Sequence, residues 1–195
     1  MVTLAAMDKL ERLRCATARE WEAWLEANHA EMTEVWLQFG KKDAGVTTVT
    51  YAEAVELALC FGWIDGQARG LDAVFYLQRF TPRRPKSIWS QINRAKAEKL
   101  VADGRMRRAG LEAVQRAKAD GRWDAAYAGS RTIEVPDDLT RALRRNAAAR
   151  RAFAALDSAN RYAILFRIHD AKRPETRARR IEQFTTMLAE GRTIH

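Results

Sequence analysis

The sequence contains few of the residues that build reactive centres, with three histidines and two cysteines among 195 residues. His29, His169 and His195 have no HxxxH or HExxH companion, and Cys15 and Cys60 show neither CxxC nor metal-ligand spacing. The GxSxG, GxGxxG and phosphate-loop patterns are absent as well. We therefore expect no metal and no cofactor, and the common hydrolase, dinucleotide-binding and nucleotide-hydrolysing classes are excluded.

Long hydrophobic runs are also missing. No stretch of eighteen apolar residues occurs, so a membrane span is excluded at the level of sequence. The N-terminal segment MVTLAAMDKLERLRC has only a short apolar stretch before charged residues begin, and it lacks the long apolar region of an export signal. Two cysteines in helical patterns are expected to be reduced thiols. These features predict a cytoplasmic protein.

Charge is plentiful and unevenly distributed. The formal net charge is +9, yet residues 1–78 carry seven Lys and Arg against twelve Asp and Glu, a net charge of −5. Residues 79–122 carry thirteen cations against four anions, and residues 136–195 carry thirteen against seven. Segregated positive charge favours an anionic partner, such as a small acidic ligand, an acidic protein or nucleic acid. The alternative is that the basic regions neutralise the acidic first third.

Hydrophobic periodicity predicts an α+β fold with a small antiparallel sheet. Thr50 and Glu53 form a capping box ahead of an apolar helix, which Gly62 would end in a left-handed conformation. Ser87 is predicted to cap another helix. The predicted helices of this part are Thr17–Ala30, Thr50–Phe61, Ser87–Gly104 and Met106–Ala119, and the strands are Val35–Phe39, Trp63–Gln67 and Ala73–Phe80.

A connector rich in Gly, Ser and Pro, YAGSRTIEVPDD, predicts a domain boundary between Arg131 and Pro136. The α+β domain would then cover residues 1–131, with a helical module at residues 136–195 packed on it. Its three predicted helices are Asp138–Leu156, Ser158–Ala171 capped by Ser158, and Glu175–Ala189. Ile181, Phe184 and Leu188 form the expected buried stripe of the last helix, and Arg173, Arg177 and Arg180 lie on its other side.

The stretch RFTPRRPKSIWS, Arg79–Ser90, concentrates four cations, two prolines and two serines in twelve residues. A helix starting at Ser87 would present free backbone N–H groups beside these cations, which is the usual equipment for holding phosphate or carboxylate. Alternatively, the arginines of this stretch pair with carboxylates such as Asp65 or Asp72, and Trp89 belongs to the hydrophobic core. The predicted ligand-binding residues are Trp63, Asp65, Arg79, Arg83, Arg84, Lys86, Ser87, Trp89 and Asn93.

Asp65 lies in the apolar context WIDG and is expected to be partly desolvated. A carboxylate in that position needs a cationic partner, and Arg79 on the neighbouring strand is the predicted one. A structural ion pair is favoured over a catalytic carboxylate, so no catalytic residue is assigned, although an enzyme that uses Asp65 as acid or base stays open.

Six sequence blocks, in the same order, resemble bacterial YdeI/OmpD-associated proteins, the OmdA-type or bacteriocin-protection family. The blocks are ALCFGWIDG, RFTPRR, SIWSQIN, GRMRRAG, AKADGRW and AKRPETRARRI. The resemblance implies a role in protection against cationic antimicrobial peptides or bacteriocins and association with an outer-membrane porin, and it brings no catalytic residues. The last block belongs to the short helical module after which the family is named.

Three functions are compatible with these observations. The leading expectation is a non-catalytic cytoplasmic stress or resistance protein that binds a small anionic ligand or an acidic partner between Arg79 and Asn93. The first alternative is RNA or DNA binding through a basic stripe that includes Arg173, Arg177 and Arg180. The second is an enzyme with Asp65 as acid or base.

Overall fold

The computed structural model describes residues 12–195, so the predicted lack of an export signal concerns residues that lie mainly outside the described part. The chain divides into two compact units, Met1–Ala126 and Tyr127–His195. The first contains the strands β1 (Arg12–Arg14), β2 (Val35–Gly40), β3 (Trp63–Gly70) and β4 (Phe75–Pro82), and the helices α1 (Ala18–Asn28), α2 (Tyr51–Cys60), α3 (Gln91–Ala102) and α4 (Arg108–Ala119). The second contains α5 (Asp137–Arg145), α6 (Ala147–Ala155), α7 (Ser158–Asp170) and α8 (Pro174–Ala189).

The predicted α+β class is confirmed, with one correction to the sheet. The four strands found in the described part of the chain run in the order β1-β2-β4-β3. The pairs β2–β4 and β4–β3 are antiparallel as expected, whereas β1 pairs with β2 in parallel, so the sheet is mixed. The strand β1 has only three residues, too few for an alternating hydrophobic pattern to reveal it.

One face of the sheet packs against α1 and α2 to form the core of the first unit. Trp21 and Leu25 of α1 and Phe80 of β4 are completely buried in it. The Trp21 indole N–H donates to the carbonyl of Ala54 (3.1 Å), which ties α1 to α2. The capping box of Thr50 and Glu53 is confirmed, since both reciprocal hydrogen bonds are present.

The predicted helix start at Ser87 is wrong, because α3 begins three residues later. Ser90 is its N-cap, and the Ser90 hydroxyl accepts from the Asn93 N–H (3.1 Å). Ile88 and Ile92 are 54% and 58% exposed. The motif SIWSQIN contains two serines three positions apart, and each can cap a helix by the same local chemistry.

The second unit has its own hydrophobic core and four helices rather than three. The helix predicted from Asp138 to Leu156 is interrupted at Asn146, which has an extended conformation and caps α6 by accepting from the Ala149 N–H (3.0 Å). The next helix is capped by Asp157 rather than by Ser158. Ile181, Phe184 and Leu188 are buried as predicted. Packing of this module on the first domain stays a prediction.

No helix between residues 12 and 195 combines the length and the apolar character that crossing a membrane requires.

An ion pair joins α5 to α8 and predicts the acid sensitivity of the second unit. The guanidinium of Arg177 donates to both carboxylate oxygens of Asp138 (2.5 and 3.0 Å) and to the Ile168 carbonyl (2.9 Å). The hydrogen bonds from Arg177, followed by that from the Leu139 N–H, lower the pKa of Asp138 below its ordinary value of 3.8. A carboxyl group whose folded-state pKa is depressed stabilises the fold above its unfolded pKa and loses that contribution as the pH falls through the folded value.

We therefore expect the unfolding temperature of the second unit to fall on acidification below about pH 4, and Asp138→Asn to remove part of that dependence. Thermal unfolding followed by circular dichroism at a series of pH values measures both. Asp137→Asn is the matched control, because this neighbouring exposed carboxylate makes none of the ion pairs found among residues 12–195. An identical pH profile for the two variants would contradict the assignment of the effect to the Asp138–Arg177 pair.

Candidate functional site

The basic stretch after β4 folds as a turn followed by an extended segment that leads into α3. The Ser87 N–H donates to the Arg84 carbonyl (2.9 Å), which closes a tight turn with Pro85 in its second position, where proline is favoured. Lys86 lies exposed at the third position. The turn therefore holds Arg84 and Ser87 close together, although Ser87 does not cap a helix.

Arg83 is a buried residue of this segment, and its side chain is held by several contacts. Only 8% of its surface is exposed, and the central carbon of its guanidinium lies 3.7 Å from the ring centre of Trp89, as in a cation–π contact. Its Nη1 donates to the Ile88 carbonyl (3.3 Å). Trp89 is itself buried and meets Trp123 edge-on at 4.8 Å. Trp89 is thus a core residue that supports the guanidinium of Arg83.

Two further arginines reach the same place from α4 and the loop after it. The Nη1 of Arg122 donates to the Ser87 carbonyl (2.6 Å), and its Nη2 lies 2.7 Å from Asp120. Arg122 lowers the pKa of Asp120 by hydrogen bonding, so this carboxylate remains ionised. Arg116 is exposed on α4 and approaches Glu112 only at 3.9 Å. Ser87 is thereby anchored to the C-terminal end of α4.

These side chains line a small depression that we call the arginine cleft. Its lining residues are Arg83, Arg84, Pro85, Ser87, Trp89, Ala113, Arg116 and Arg122. Of these eight lining residues, all within positions 12–195, four are arginines from three separate segments, and none is acidic. The enclosed volume is about 10 Å³, room for about one water molecule. The cleft is consequently a shallow surface site, at which an anion would remain in contact with solvent.

Of the nine residues predicted to bind a ligand, four line the cleft: Arg83, Arg84, Ser87 and Trp89. Trp63 is instead 1% exposed in the core, where its indole N–H donates to the His29 carbonyl (3.1 Å). Lys86 and Asn93 flank the cleft in sequence without lining it.

The predicted pair of Asp65 with Arg79 does not form. Asp65 lies opposite Phe80 in the β3–β4 register and therefore shares the face of Phe80, while the adjacent Arg79 points to the other face. Asp65 accepts from the Tyr51 hydroxyl (2.6 Å), and Arg79 forms its ion pair with Glu34. Both groups thus have partners away from the arginine cleft.

The three arginines predicted to contact nucleic acid differ in their surroundings. Arg173 is exposed at the start of α8. Arg177 is held by Asp138, and Arg180 lies 3.6 Å from Asp170 and also donates to the Arg167 carbonyl. Two of the three cations are therefore engaged within the second unit.

Arg116 and Arg122 are the cleft residues that the sequence analysis missed. Arg122 lies in the block AKADGRW, but nothing local relates this block to Ser87, which lies 35 residues earlier. The hydrogen bond from Arg122 to the Ser87 carbonyl is a tertiary contact. Only the recurrence of basic residues between positions 79 and 122 pointed toward it.

Reactive groups are scarce in the described part of the chain. Burial raises the pKa of Cys15 to about 11 and also raises that of Cys60, so both are protonated, unreactive thiols at neutral pH. Between residues 12 and 195, no three His, Cys, Asp or Glu side chains gather in an arrangement that could hold a metal ion.

The first unit thus combines a mixed sheet with a cleft in which half of the lining residues are arginine. Residues 13–113 match the family described as "Domain of unknown function (DUF8412)", just over half of the chain, and the chain belongs to that family. Residues 132–191 match the family described as "Bacteriocin-protection, YdeI or OmpD-Associated", which confirms the resemblance to YdeI/OmpD-associated proteins. No curated protein and no solved structure shows significant similarity to the chain.

Four of the six resembling blocks lie within residues 13–113, and only AKRPETRARRI lies within residues 132–191. The block AKADGRW lies between the two matched ranges. The arginine cleft draws on the first matched range and on residues shortly after it.

Proposed function

We propose that this chain is a non-catalytic protein that binds a small anion or an acidic group at the arginine cleft, and that it acts in stress or bacteriocin resistance in the cytoplasm. The observation that carries the proposal is the meeting of Arg83, Arg84, Arg116 and Arg122 in one cleft that no carboxylate of the described residues lines. The bacteriocin-protection family matched by residues 132–191 supports the link to resistance. Two free buried thiols fit a reducing compartment.

The four arginines have distinct parts in this proposal. Arg83 and Arg122 are held in place by Trp89 and by the Ser87 carbonyl, so little side-chain entropy is lost when an anion arrives. Arg84 and Arg116 are exposed and can fold over the anion, because neither is anchored by a short ion pair. Glu112 and Asp120 neutralise part of the charge from outside the cleft, which leaves a local net charge of about +2.

A guanidinium donates two parallel N–H bonds to a carboxylate or a phosphate, and each charge-assisted bond contributes about 1.5 to 3 kcal/mol. Two such contacts on a shallow site correspond to millimolar affinity for a small free anion after the cost of association. Tighter binding would need a larger acidic ligand that contacts the surrounding surface.

The alternative functions have less support. Nucleic-acid binding through Arg173, Arg177 and Arg180 would require the last two to exchange their ion pairs for phosphates. Catalysis by Asp65 would require this carboxylate to leave the Tyr51 hydroxyl.

We expect Arg84→Gln/Arg116→Gln to weaken phosphate binding at low ionic strength by about tenfold or more, since each lost charge-assisted contact is worth at least one factor of ten. NMR titration with inorganic phosphate measures the dissociation constant, and the arginine Nε–H signals identify the contacts. Both substitutions are at exposed positions, so the fold should be retained.

Arg19→Gln/Lys42→Gln is the matched control, because it removes two charges from exposed positions of the same unit that do not line the cleft. It should bind phosphate like the wild type. Equal weakening in both variants would show a general charge effect and refute the cleft. A short RNA bound more tightly than phosphate, with a steep salt dependence that the cleft variant leaves unchanged, would support the nucleic-acid alternative.

A further inference from the structure

The second unit contains a groove between α5 and α8 with a volume of about 540 Å³, which falls in the range of about 300 to 1,000 Å³ typical of small-molecule sites. Ala142 on α5 and Ala178 and Ile181 on α8 line it, together with Pro174 at the start of α8. Two of the facing positions are alanine, whose single methyl group leaves the space between the helices unfilled. The groove thus has an apolar floor.

The rim of the groove is charged, and the edge formed by α5 is more positive than the edge formed by α8. Arg141 and Arg145 lie four residues apart on α5, hence on one face of that helix, and both are exposed. Neither makes an ion pair or a side-chain hydrogen bond within residues 12–195. Arg177 also lines the groove, but Asp138 neutralises it. On the α8 side, Glu182 is the remaining lining carboxylate. Two available guanidinium groups therefore share one edge of an apolar groove.

We propose that the α5–α8 groove binds an anionic amphiphile, a molecule with a carboxylate or phosphate head and a hydrocarbon body. The head would be held by Arg141 and Arg145, which supply paired N–H donors, and the body would cover Ala142, Ala178 and Ile181. Glu182, on the opposite edge, disfavours the reverse orientation. This site lies wholly in the second unit and does not depend on the arginine cleft.

Decanoate is a suitable probe below its micellar concentration, with acetate and decyltrimethylammonium as comparison ligands. Acetate has the head without the body, and decyltrimethylammonium has the body with the opposite charge. Calorimetric titration of the full chain should show one decanoate bound per chain and at least tenfold weaker binding of both comparison ligands. Binding of decyltrimethylammonium as tight as that of decanoate would overturn the proposal.

Two changes in the groove test its location. Arg141→Gln/Arg145→Gln removes the charged edge, and Ala178→Trp fills the floor from a solvent-exposed position that core packing does not constrain. Each should weaken decanoate binding by tenfold or more. Thr186→Trp, at another exposed lining position, repeats the filling test should Ala178→Trp fail to fold.

Arg150→Gln/Arg151→Gln is the matched control, because it removes the same charge from exposed positions of α6 that do not line the groove. It should bind decanoate like the wild type, and so should Arg84→Gln/Arg116→Gln. Equal weakening in the α6 control, or undiminished binding after the groove is filled, would refute this site. Loss of phosphate binding in the cleft variant is a separate measurement, so the two proposals fail independently.

Discussion

Replacing Phe184 by alanine is expected to destabilise the second unit by about 3 to 5 kcal/mol, the usual range for a buried phenylalanine. Phe184 is 5% exposed and lies in the middle of α8, in the core formed with residues such as Leu139, Phe153 and Ile164. Removing the ring leaves a cavity where these helices meet. A unit of this size buries little surface and has little stability in reserve, so the variant should be largely unfolded from Tyr127 onward.

The two units can be followed separately. All six tryptophans lie between Trp21 and Trp123, hence in the first unit, so tryptophan fluorescence reports on that unit while far-UV circular dichroism includes the helices of the second. In urea unfolding, the second unit should give the transition at the lower urea concentration in the dichroism curve. Phe184→Ala should lower the midpoint of this transition more than it changes the midpoint of the fluorescence transition. Gln183→Ala, an exposed neighbour on α8, should change neither by more than about 0.5 kcal/mol. Equal stability of the two variants would contradict the core assignment.

Elements marked by local chemistry were predictable from the sequence. The capping box of Thr50 and Glu53 specifies the start of α2 with two reciprocal hydrogen bonds, and the end of the helix is marked by Gly62, which has a φ of 73°. The amphipathic stripe of Ile181, Phe184 and Leu188 likewise depends only on spacing within one helix. In each case the signal and the structure lie within a few residues of one another.

Predictions failed where two local signals compete. Ser87 and Ser90 are equally suited to cap a helix, and the choice of Ser90 follows from tertiary contacts: Arg122 binds the Ser87 carbonyl, while Trp89 packs on Trp123. Asn146 lies inside an otherwise continuous helical pattern, yet its side chain offers a backbone N–H an alternative partner and ends the helix there. Hydrophobic periodicity alone does not reveal such a break in a helix.

The sequence predicted that the candidate site is rich in arginine, but it identified only some of the residues that line it. Arg83, Arg84 and Ser87 were found because they lie within one short basic stretch, whereas Arg116 and Arg122 enter the cleft through the packing of α4. The expected partner of Arg79 was wrong because strand register decides which face a side chain takes. A shift of one residue between β3 and β4 places Asp65 and Arg79 on opposite faces of the sheet.

Replacing Gly110 by alanine is expected to destabilise the first unit by about 3 kcal/mol, at the upper end of the usual range for overpacking. Gly110 is in the first turn of α4, where this helix crosses the C-terminal end of α2. A Cβ atom there would collide with the carbonyl oxygen of Cys60 and would lie 2.8 Å from that of Leu59. These are backbone atoms, so no change of rotamer relieves the overlap. The Arg107 N–H also donates to the Cys60 carbonyl (3.0 Å), and separating the helices would break this bond.

The sign of the change in stability caused by Gly110→Ala shows whether α2 and α4 are in close contact. Gly110 has an ordinary helical conformation, so alanine would stabilise α4 by up to about 1 kcal/mol if the two helices were not in close contact. Gly104→Ala provides the comparison: its φ of 67° disfavours alanine, but no atom of residues 12–195 lies within 4 Å of the new methyl group. Its cost should be only about 1 to 2 kcal/mol. Urea unfolding followed by tryptophan fluorescence measures both variants. A Gly110→Ala protein as stable as the wild type would exclude the close crossing of α2 and α4.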